Sequence, residues 1–346
     1  SSKSHILVIR LSAMGDVAMA APVLRALRDQ FPETQITMLT RKEFAPIFEH
    51  LKGISIYPVD FGGRHKGIGG LWRLSKEIKS LNPTVIADLH NVIRTKLLRG
   101  FLSGYLWAVI DKGRHEKQLV VNQGKKLQLK STHQRYADVF INLGYDFSLT
   151  DGYLPKTKFD FPPGIQLTNG EQLVGFAPFA GYEGKTYPKD LSLELIAQLE
   201  KQVKVILFGG GSAEIKALNE LASKFDNVIC YAGKLTLSAE IQLISNLNIM
   251  IAMDSSNAHL AAMLGVEVIS VWGITDPVLG FAPFGQPSSN SLLANKAVFD
   301  KIPTSVYGNK MPEGYEKAIR TVTPDMIAQL CRQRLKHHQN RQKEKN

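Results

Sequence analysis

Two acidic residues, each just beyond an apolar strand-like run, are the ones best placed in this chain to do chemistry. The first is Asp16, in Ile6-Leu7-Val8-Ile9-Arg10-Leu11-Ser12-Ala13-Met14-Gly15-Asp16-Val17. The second is Asp254, in Ile249-Met250-Ile251-Ala252-Met253-Asp254-Ser255-Ser256-Asn257-Ala258-His259. An acid at a strand-to-helix turn has two readings. It caps the helix N-terminus, or it accepts a proton from a hydroxyl whose oxygen attacks an electrophilic carbon. For Asp16 the residues alone leave both open. Gly15 beside it permits a tight turn or a close backbone approach. Neither segment is a Gly-x-Gly-x-x-Gly fingerprint or a Walker lysine loop.

The later half adds side chains suited to a phosphorylated ligand. In Phe179-Ala180-Gly181-Tyr182-Glu183-Gly184-Lys185-Thr186-Tyr187-Pro188, glycines flank a lysine and a threonine. Such a loop exposes backbone N–H groups, and Lys185 supplies a mobile positive charge. A departing nucleoside diphosphate gains negative charge, so a lysine there favours the transition state over the ground state. The bland alternative is an exposed loop lysine. Gly209-Gly210-Gly211-Ser212-Ala213-Glu214 is a second strand-to-helix turn. Glu214 either accepts from ribose hydroxyls or sits favourably in the first turn of its helix. Gly233-Lys234-Leu235-Thr236-Leu237-Ser238 is a third, in which Leu235 can line a base pocket and Thr236 or Ser238 can cap a helix. In the Asp254 segment, Ser255 and Ser256 can donate to phosphate oxygens next to helix N-terminal amides. His259 either reaches a diphosphate or is a half-buried histidine. Thr275, in Trp272-Gly273-Ile274-Thr275-Asp276-Pro277, is a further donor, while Asp276-Pro277 reads as turn chemistry.

A basic group in the first half has a different use. His90-Asn91 and Arg94-Thr95-Lys96 follow the run Val85 to Leu89. With Arg64, His65, Lys66, Arg114 and Lys117 they either hold phosphate or carboxylate on an acceptor or form a solvated basic surface. No histidine, cysteine or acidic spacing reads as a metal site, and no Asp-x-Asp is present to hold a metal-bound sugar nucleotide. Catalysis without a required metal is the simpler expectation.

These turns need a scaffold that brings strand ends to one edge. Strand-like runs at 6–11, 35–40, 54–59 and 85–89 alternate with helical ones at 18–30, 44–50 and 71–81. That rhythm predicts a parallel sheet covered by helices on both faces. The glycine-rich stretch Asp60 to Gly70 reads as a mobile loop. Pro155 to Glu171, with Pro162, Pro163, Gly164 and Gly170, is the expected linker. The rhythm resumes with strands at 172–177, 204–208, 228–230, 247–253 and 267–272, and helices at 193–202, 212–225, 238–246 and 259–264. In open parallel sheets ligands bind beyond the carboxyl ends of the strands, so the polar turns converge on one edge. The expected domains are 1–160, 161–323 and a tail at 324–346. Its helix, Asp325 to His338, either packs back on the first domain or is a solvated terminus.

With 346 residues the chain suits two domains rather than one core. Its formal net charge is +11 and uneven. Residues 1–160 hold 24 Lys/Arg against 14 Asp/Glu, whereas 161–346 hold 18 against 17. A basic first half suggests an anionic partner, whether a membrane surface, a phosphorylated glycan or nucleic acid, or else serves solubility alone. The two cysteines, Cys230 and Cys331, are far apart, which favours a reducing compartment over a disulfide framework. No apolar run reaches transmembrane length, and the start lacks the apolar stretch of a signal peptide.

Taken together these residues resemble the bacterial lipopolysaccharide heptosyltransferases, glycosyltransferase family 9, over nearly the whole chain. Ile9 to Val17 is similar to the family's N-terminal signature, and the resemblance makes Asp16 the catalytic base, with Ser12 and Gly15 beside the donor. Lys185-Thr186-Tyr187-Pro188 resembles the family's lysine followed by an aromatic–proline pair, which implies that Lys185 meets the diphosphate. By the same resemblance Glu214 meets the donor ribose and Leu235 lies near adenine. Asp254 then contacts the heptose, and Ser255, Ser256 and His259, with Thr275 near them, lie by the phosphates. Two positions depart from the pattern: Ser256 stands where glycine is frequent, and Tyr187 where tryptophan is common.

The family implies an α/β GT-B fold, two Rossmann-like doubly wound domains facing across a cleft. It implies inverting transfer from ADP-L-glycero-beta-D-manno-heptose to a lipopolysaccharide core acceptor, with no required cofactor. Its expected partners are a nucleotide-sugar donor, an anionic glycolipid and transiently an anionic membrane surface, with no nucleic acid. The expected place is the cytoplasmic side of the inner membrane. Two alternatives stay in view: a family member using another nucleotide sugar or glycan acceptor, and a non-catalytic nucleotide-sugar-binding protein. An epimerase or dehydrogenase is disfavoured, since there is neither a glycine fingerprint nor a helical Tyr-x-x-x-Lys.

Overall fold

A computed structural model describes residues 4–124, 127–150, 152, 154–165, 167, 171–199 and 203–343, with side chains to residue 340. Gly170 of the expected linker and Gln202, the expected end of a helix, lie outside the described residues. The contacts divide the chain into two compact units, Ser1–Lys112 with Lys130–Asp151, and Gly113–Leu129 with Gly152–Asn346.

The first unit alternates β1 (His5–Ile9), α1 (Met14–Gln30), β2 (Gln35–Arg41), β3 (Ile54–Val59), α2 (Gly67–Leu81), β4 (Val85–Asp88), α3 (Ile93–Phe101) and β5 (Leu106–Val109). Helix α4 (Arg114–Gln123) belongs to the second unit, and α5 (Thr132–Asn142) returns to the first. The strands are all parallel, in the order β3-β2-β1-β4-β5. Helix α1 packs on α5, and α2 on α3. The chain moves outward from β1 through β2 to β3, then crosses back to β4 and β5. Right-handed crossovers therefore put α2 and α3 on the sheet face opposite α1. Strand β1 is buried along its whole length, as its unbroken apolar run requires.

The second unit holds β6 (Leu173–Ala177), α6 (Lys189–Leu199), β7 (Lys204–Leu207), α7 (Ser212–Ala222), β8 (Val228–Cys230), α8 (Leu237–Ile244), β9 (Ile249–Met253), α9 (Ser256–Met263), β10 (Glu267–Trp272), β11 (Ser291–Leu293) and α10 (Pro324–Lys343). Its sheet is parallel, in the order β11-β10-β9-β6-β7-β8. The strand order reverses between β6 and β9 here, and between β1 and β4 in the first unit.

Three expectations change. Helix α10 packs on α6 and against β9 and β10 of its own unit rather than standing in solvent. Its apolar stripe explains this: Ile327, Ala328, Cys331 and Leu335 join the second unit's core. Polar contacts fix it further. His338 Nε2 lies 2.7 Å from Glu267 Oε2, and Arg334 Nε donates to Asn290 Oδ1 at 2.7 Å. The Asp60–Gly70 stretch is a closed turn rather than a loose loop. Asp60 Oδ1 accepts from the Gly62 and Gly63 N–H groups at 3.1 Å, and buried His65 sits 2.8 Å from Glu77. The start of the proline-rich stretch lies against the second unit. Thr157 N–H donates to the Leu264 carbonyl at 2.9 Å and Phe159 N–H to Ser245 Oγ at 3.0 Å.

Candidate active site

At each reversal of strand order two neighbouring strand ends leave a crevice for a ligand. In the first unit the segments there are Ser12–Asp16, after β1, and Leu89–Asn91, after β4. Asp16 is the third residue of α1, and it caps nothing: the residue in the cap position is Ala13, which makes no side-chain hydrogen bond. Instead Asp16 Oδ2 lies 2.7 Å from the Arg10 guanidinium, which is buried at the end of β1 and donates through Nη1 to the Leu89 carbonyl at 2.9 Å. The Tyr136 hydroxyl, from α5, donates to the Asp16 carbonyl at 3.0 Å, and the Arg10 guanidinium carbon lies 5.9 Å from the centre of the same ring. The Asp16 carboxylate is thus partly exposed, yet tied to both strands of the crevice.

His90 stands across from it. The Leu11 N–H donates to His90 Nδ1 at 3.4 Å, while the His90 and Asn91 N–H groups donate to buried Asp88 Oδ1 at 2.9 Å. Burial, and then the nearby charges of Arg10, Lys112, Arg41 and Arg94, push the His90 pKa down to about 3. A neutral imidazole in a ring of cations marks this edge as electropositive. Arg94 and Arg41 both lie over the Phe61 ring, at 4.6 and 5.7 Å from its centre.

In the second unit the crevice lies between the loop after β6 and the turn after β9. Lys185 ends a 3-10 turn, Glu183–Lys185, and its ammonium lies 3.1 Å from Asp254 Oδ2. The Thr275 hydroxyl, after β10, donates to the same oxygen at 2.9 Å. Three strand ends thus meet at one carboxylate, and both charged side chains are mostly buried. Close backbone contact holds the lysine loop. A Cβ at Gly273 would lie 2.2 Å from the Gly184 carbonyl oxygen, and one at Gly308, where φ is +80°, would lie 2.7 Å from the Lys185 stem. Tyr187 is buried, and its hydroxyl donates to the Val322 carbonyl at 2.8 Å. Ser255 occupies the cap position of α9, and its buried Oγ has no hydrogen-bond partner among the described residues. An orphaned hydroxyl beside helix N-terminal amides suits a phosphate oxygen.

The structure therefore gathers Lys185, Asp254 and Thr275, with Ser255 and Ser256 next along the chain at the start of α9. His259 is buried one turn further in. Thr186 is engaged within its own loop, accepting from the Ala180 N–H at 3.2 Å. Glu214 folds back to accept from the Gly210 N–H at 2.9 Å, and Leu235 is half-buried in the turn after β8. The basic residues are spread over several elements of both units. Arg64 is paired with Glu77, Lys66 is exposed at the start of α2, and Lys96 is exposed on α3. Arg114 and Lys117 belong to the second unit, where the Lys117 ammonium lies 4.3 Å from the Phe281 ring centre. Sequence reasoning gave no role to Arg10, Tyr136 or Gly308. For Arg10 a signal was there: a lone charge closing an apolar strand. Among the described residues no group of three or more His, Cys, Asp or Glu side chains is placed to hold a metal ion.

Two doubly wound units of this kind are the architecture of GT-B glycosyltransferases. The family model "Glycosyltransferase family 9 (heptosyltransferase)" matches residues 77–310, and the chain belongs to that family, as a glycosyltransferase of the heptosyltransferase type. It is 24% identical over 354 residues to lipooligosaccharide heptosyltransferase 2 of Haemophilus ducreyi, covering 95% of this chain and 99% of that one. A family 9 glycosyltransferase structure from Veillonella parvula superposes with a TM-score of 0.75 at 19% identity, over 96% of this chain and 98% of its own. The E. coli heptosyltransferase WaaC, solved with ADP, gives 0.69 at 20% identity, over 95% and 99%.

Proposed function

We propose that this chain transfers a heptose, with inversion, from ADP-L-glycero-beta-D-manno-heptose to a lipopolysaccharide core acceptor. The observation that carries this is the meeting of Lys185, Asp254 and Thr275 at the switch point of the second sheet. An amine and a carboxylate held together there match the two halves of a nucleotide sugar: diphosphate for the amine, sugar hydroxyls for the acid. The relative solved with ADP supports an adenine nucleotide. Glu214 then takes the ribose hydroxyls and Leu235 the base, while Ser255, Ser256, His259 and Thr186 meet the phosphate side.

The reaction follows from these groups. Asp16 takes the proton of the acceptor hydroxyl as its oxygen bonds to the anomeric carbon. The carbon–oxygen bond to ADP breaks on the opposite face, and ADP leaves with the bonding pair. Lys185 and the α9 N-terminus stabilise the negative charge that accumulates there. Arg10 holds the Asp16 carboxylate in place, with Ser12 and Gly15 beside the reacting sugar. His90, Arg94, Lys96 and Lys66 meet anionic groups of the acceptor, with Arg64 released from Glu77 or left as a support, and Arg114 contributing from the second unit. The acceptor is a glycolipid, so the protein works at the cytoplasmic surface of the inner membrane. No helix among the described residues is long and apolar enough to cross a membrane.

A donor screen tests this reading. Purified protein with a lipopolysaccharide core acceptor is expected to turn over ADP-heptose faster than UDP-, GDP- or other ADP-sugars. Equal or faster turnover of another nucleotide sugar would replace the heptose assignment. Donor binding without any transfer would favour a binding protein.

A further inference from the structure

Helices α2 and α3 carry apolar side chains on the side they do not bury. Inward, α2 buries Leu71, Leu74 and Ile78, and α3 buries Thr95 and Leu98. Outward, α2 presents Ile68 and Trp72, 68% and 51% exposed, and α3 presents Ile93 and Leu97, 76% and 40% exposed. Each pair is spaced i, i+4, so each lies along one side of its helix. The two helices pack together on one face of the sheet, and both run back from the carboxyl ends of their strands. Ile68 and Ile93 thus sit in the first turns of neighbouring helices, at the sheet edge that carries Asp16 and His90. An amphipathic helix needs one apolar side for its core, and a second one left in water has an unfavourable solvation cost unless something covers it.

Charge says what covers it. The two helices hold six basic side chains, Arg73, Lys76, Lys79, Arg94, Lys96 and Arg99, against one acidic, Glu77. That lone acid is already bound by Arg64 and His65. The Lys76 ammonium lies 3.6 Å from the Trp72 ring centre, an apolar body with a cation at its rim. The opposite face offers a control within the same unit. Helices α1 and α5 hold three basic and three acidic side chains, and their one exposed large apolar residue is Ile141. Aliphatic and tryptophan side chains ringed by lysine and arginine, without free acid, match an anionic bilayer surface. The apolar groups enter the headgroup region and the long basic chains reach the phosphates. A protein partner would have to supply an acidic rim around an apolar centre, an outcome the test below separates.

The geometry points to the outward face of α2 and α3, centred on Ile68, Trp72, Ile93 and Leu97, as the surface that docks on anionic membranes. This rests on the membrane-facing part of the reading above and not on its catalytic part. Docking here presents the acceptor edge of the first sheet to the lipid plane, where a glycolipid acceptor is found.

Flotation of the full chain with vesicles of phosphatidylglycerol and phosphatidylethanolamine, against phosphatidylcholine alone, reads this out. The wild-type chain is expected to bind the anionic vesicles and to release them at high salt. Ile68→Ser combined with Ile93→Ser should weaken binding about tenfold. Lys76→Glu and Lys79→Glu should weaken it about fivefold per charge removed. Ile141→Ser should change nothing. All these variants should keep donor turnover on a delipidated, water-soluble acceptor, which separates a lost surface from a lost fold. Unchanged vesicle binding in the Ile68/Ile93 double variant would overturn the assignment. So would a wild-type chain that ignores anionic vesicles and instead self-associates through this face. Vesicle binding is measured without donor. A chain that docks through α2 and α3 yet transfers no heptose would therefore defeat the catalytic reading alone.

Discussion

The two units share a strand order around their switch points and use it in opposite ways. In the first, the carboxylate proposed as the base is fixed from within: Arg10 reaches Asp16 at 2.7 Å and the Leu89 carbonyl at 2.9 Å, so the acid is bound to both strands of its crevice. In the second, the Lys185 ammonium lies 3.1 Å from Asp254, and both are proposed to meet the donor. A rigid acid suits a base that must meet one hydroxyl. A lysine whose partner is another polar residue suits a site that re-pairs when a ligand arrives, with the ammonium turning to diphosphate oxygens and Asp254 accepting from sugar hydroxyls. The same topology thus holds a clamped carboxylate in one unit, which suits the proposed base, and a Lys185–Asp254 ion pair in the other, which suits the proposed exchange.

Substitutions can break that contrast. Asp16→Asn removes the base without removing its shape. Turnover should fall about 1,000-fold, with the donor KM within about twofold, as steady-state kinetics would show. An equal loss in KM would mean that Asp16 binds donor. Lys185→Ala should lower kcat/KM about 100-fold, through both terms, and a pure KM effect would remove it from the transition state. Arg10→Gln is the sharper test of rigidity. It should lower kcat about tenfold, leave donor affinity intact and cost about 2 kcal/mol of stability. Arg10→Lys should recover part of the rate, and a variant with full rate would show that Asp16 needs no clamp.

The smallest effects lie in pH dependence, where the units again differ in sign. In the first, burial brings the His50 pKa to about 4, and burial with neighbouring cations brings His90 to about 3. The unfolded chain takes up these protons near pH 6.5 and the folded one does not. Stability from the first unit is therefore full above that pH and falls as the pH drops toward 4. In the second, burial raises the Glu240 pKa to about 7. Its contribution is full below the unfolded value and is lost as the pH rises through 7. Thermal unfolding should show Glu240→Gln raising Tm at pH 8 by about 2 °C and doing less at pH 5. Equal shifts at both would mean that Glu240 does not titrate in the fold.

Much of this was legible in the sequence, for a physical reason. A buried parallel strand is an unbroken apolar run, and the first polar residues after it lie at the edge where ligands bind. Asp16, Lys185 and Asp254 could each be read that way from local pattern alone. Arg10 was legible only in part: a lone charge closing an apolar strand is local, but its role depends on Leu89 and on Tyr136, which arrive from elsewhere in the chain. Gly308 shows the same limit, since its lack of a side chain matters only because the Lys185 stem lies against it. The landing place of α10 was likewise open, because an amphipathic stripe shows that a helix packs and not on what. Helix α4 illustrates the point for whole segments. Nothing local marks residues 113–129 as belonging with the later half of the chain.

The proposed reaction divides the labour, with the nucleotide held by the second unit and the proton taken by the first. Calorimetric titration of ADP into wild-type protein, Asp16→Asn and Lys185→Ala tests it directly. ADP should bind Asp16→Asn as it binds wild type, and bind Lys185→Ala about tenfold more weakly. Equal weakening in both variants, or none in Lys185→Ala, would contradict it.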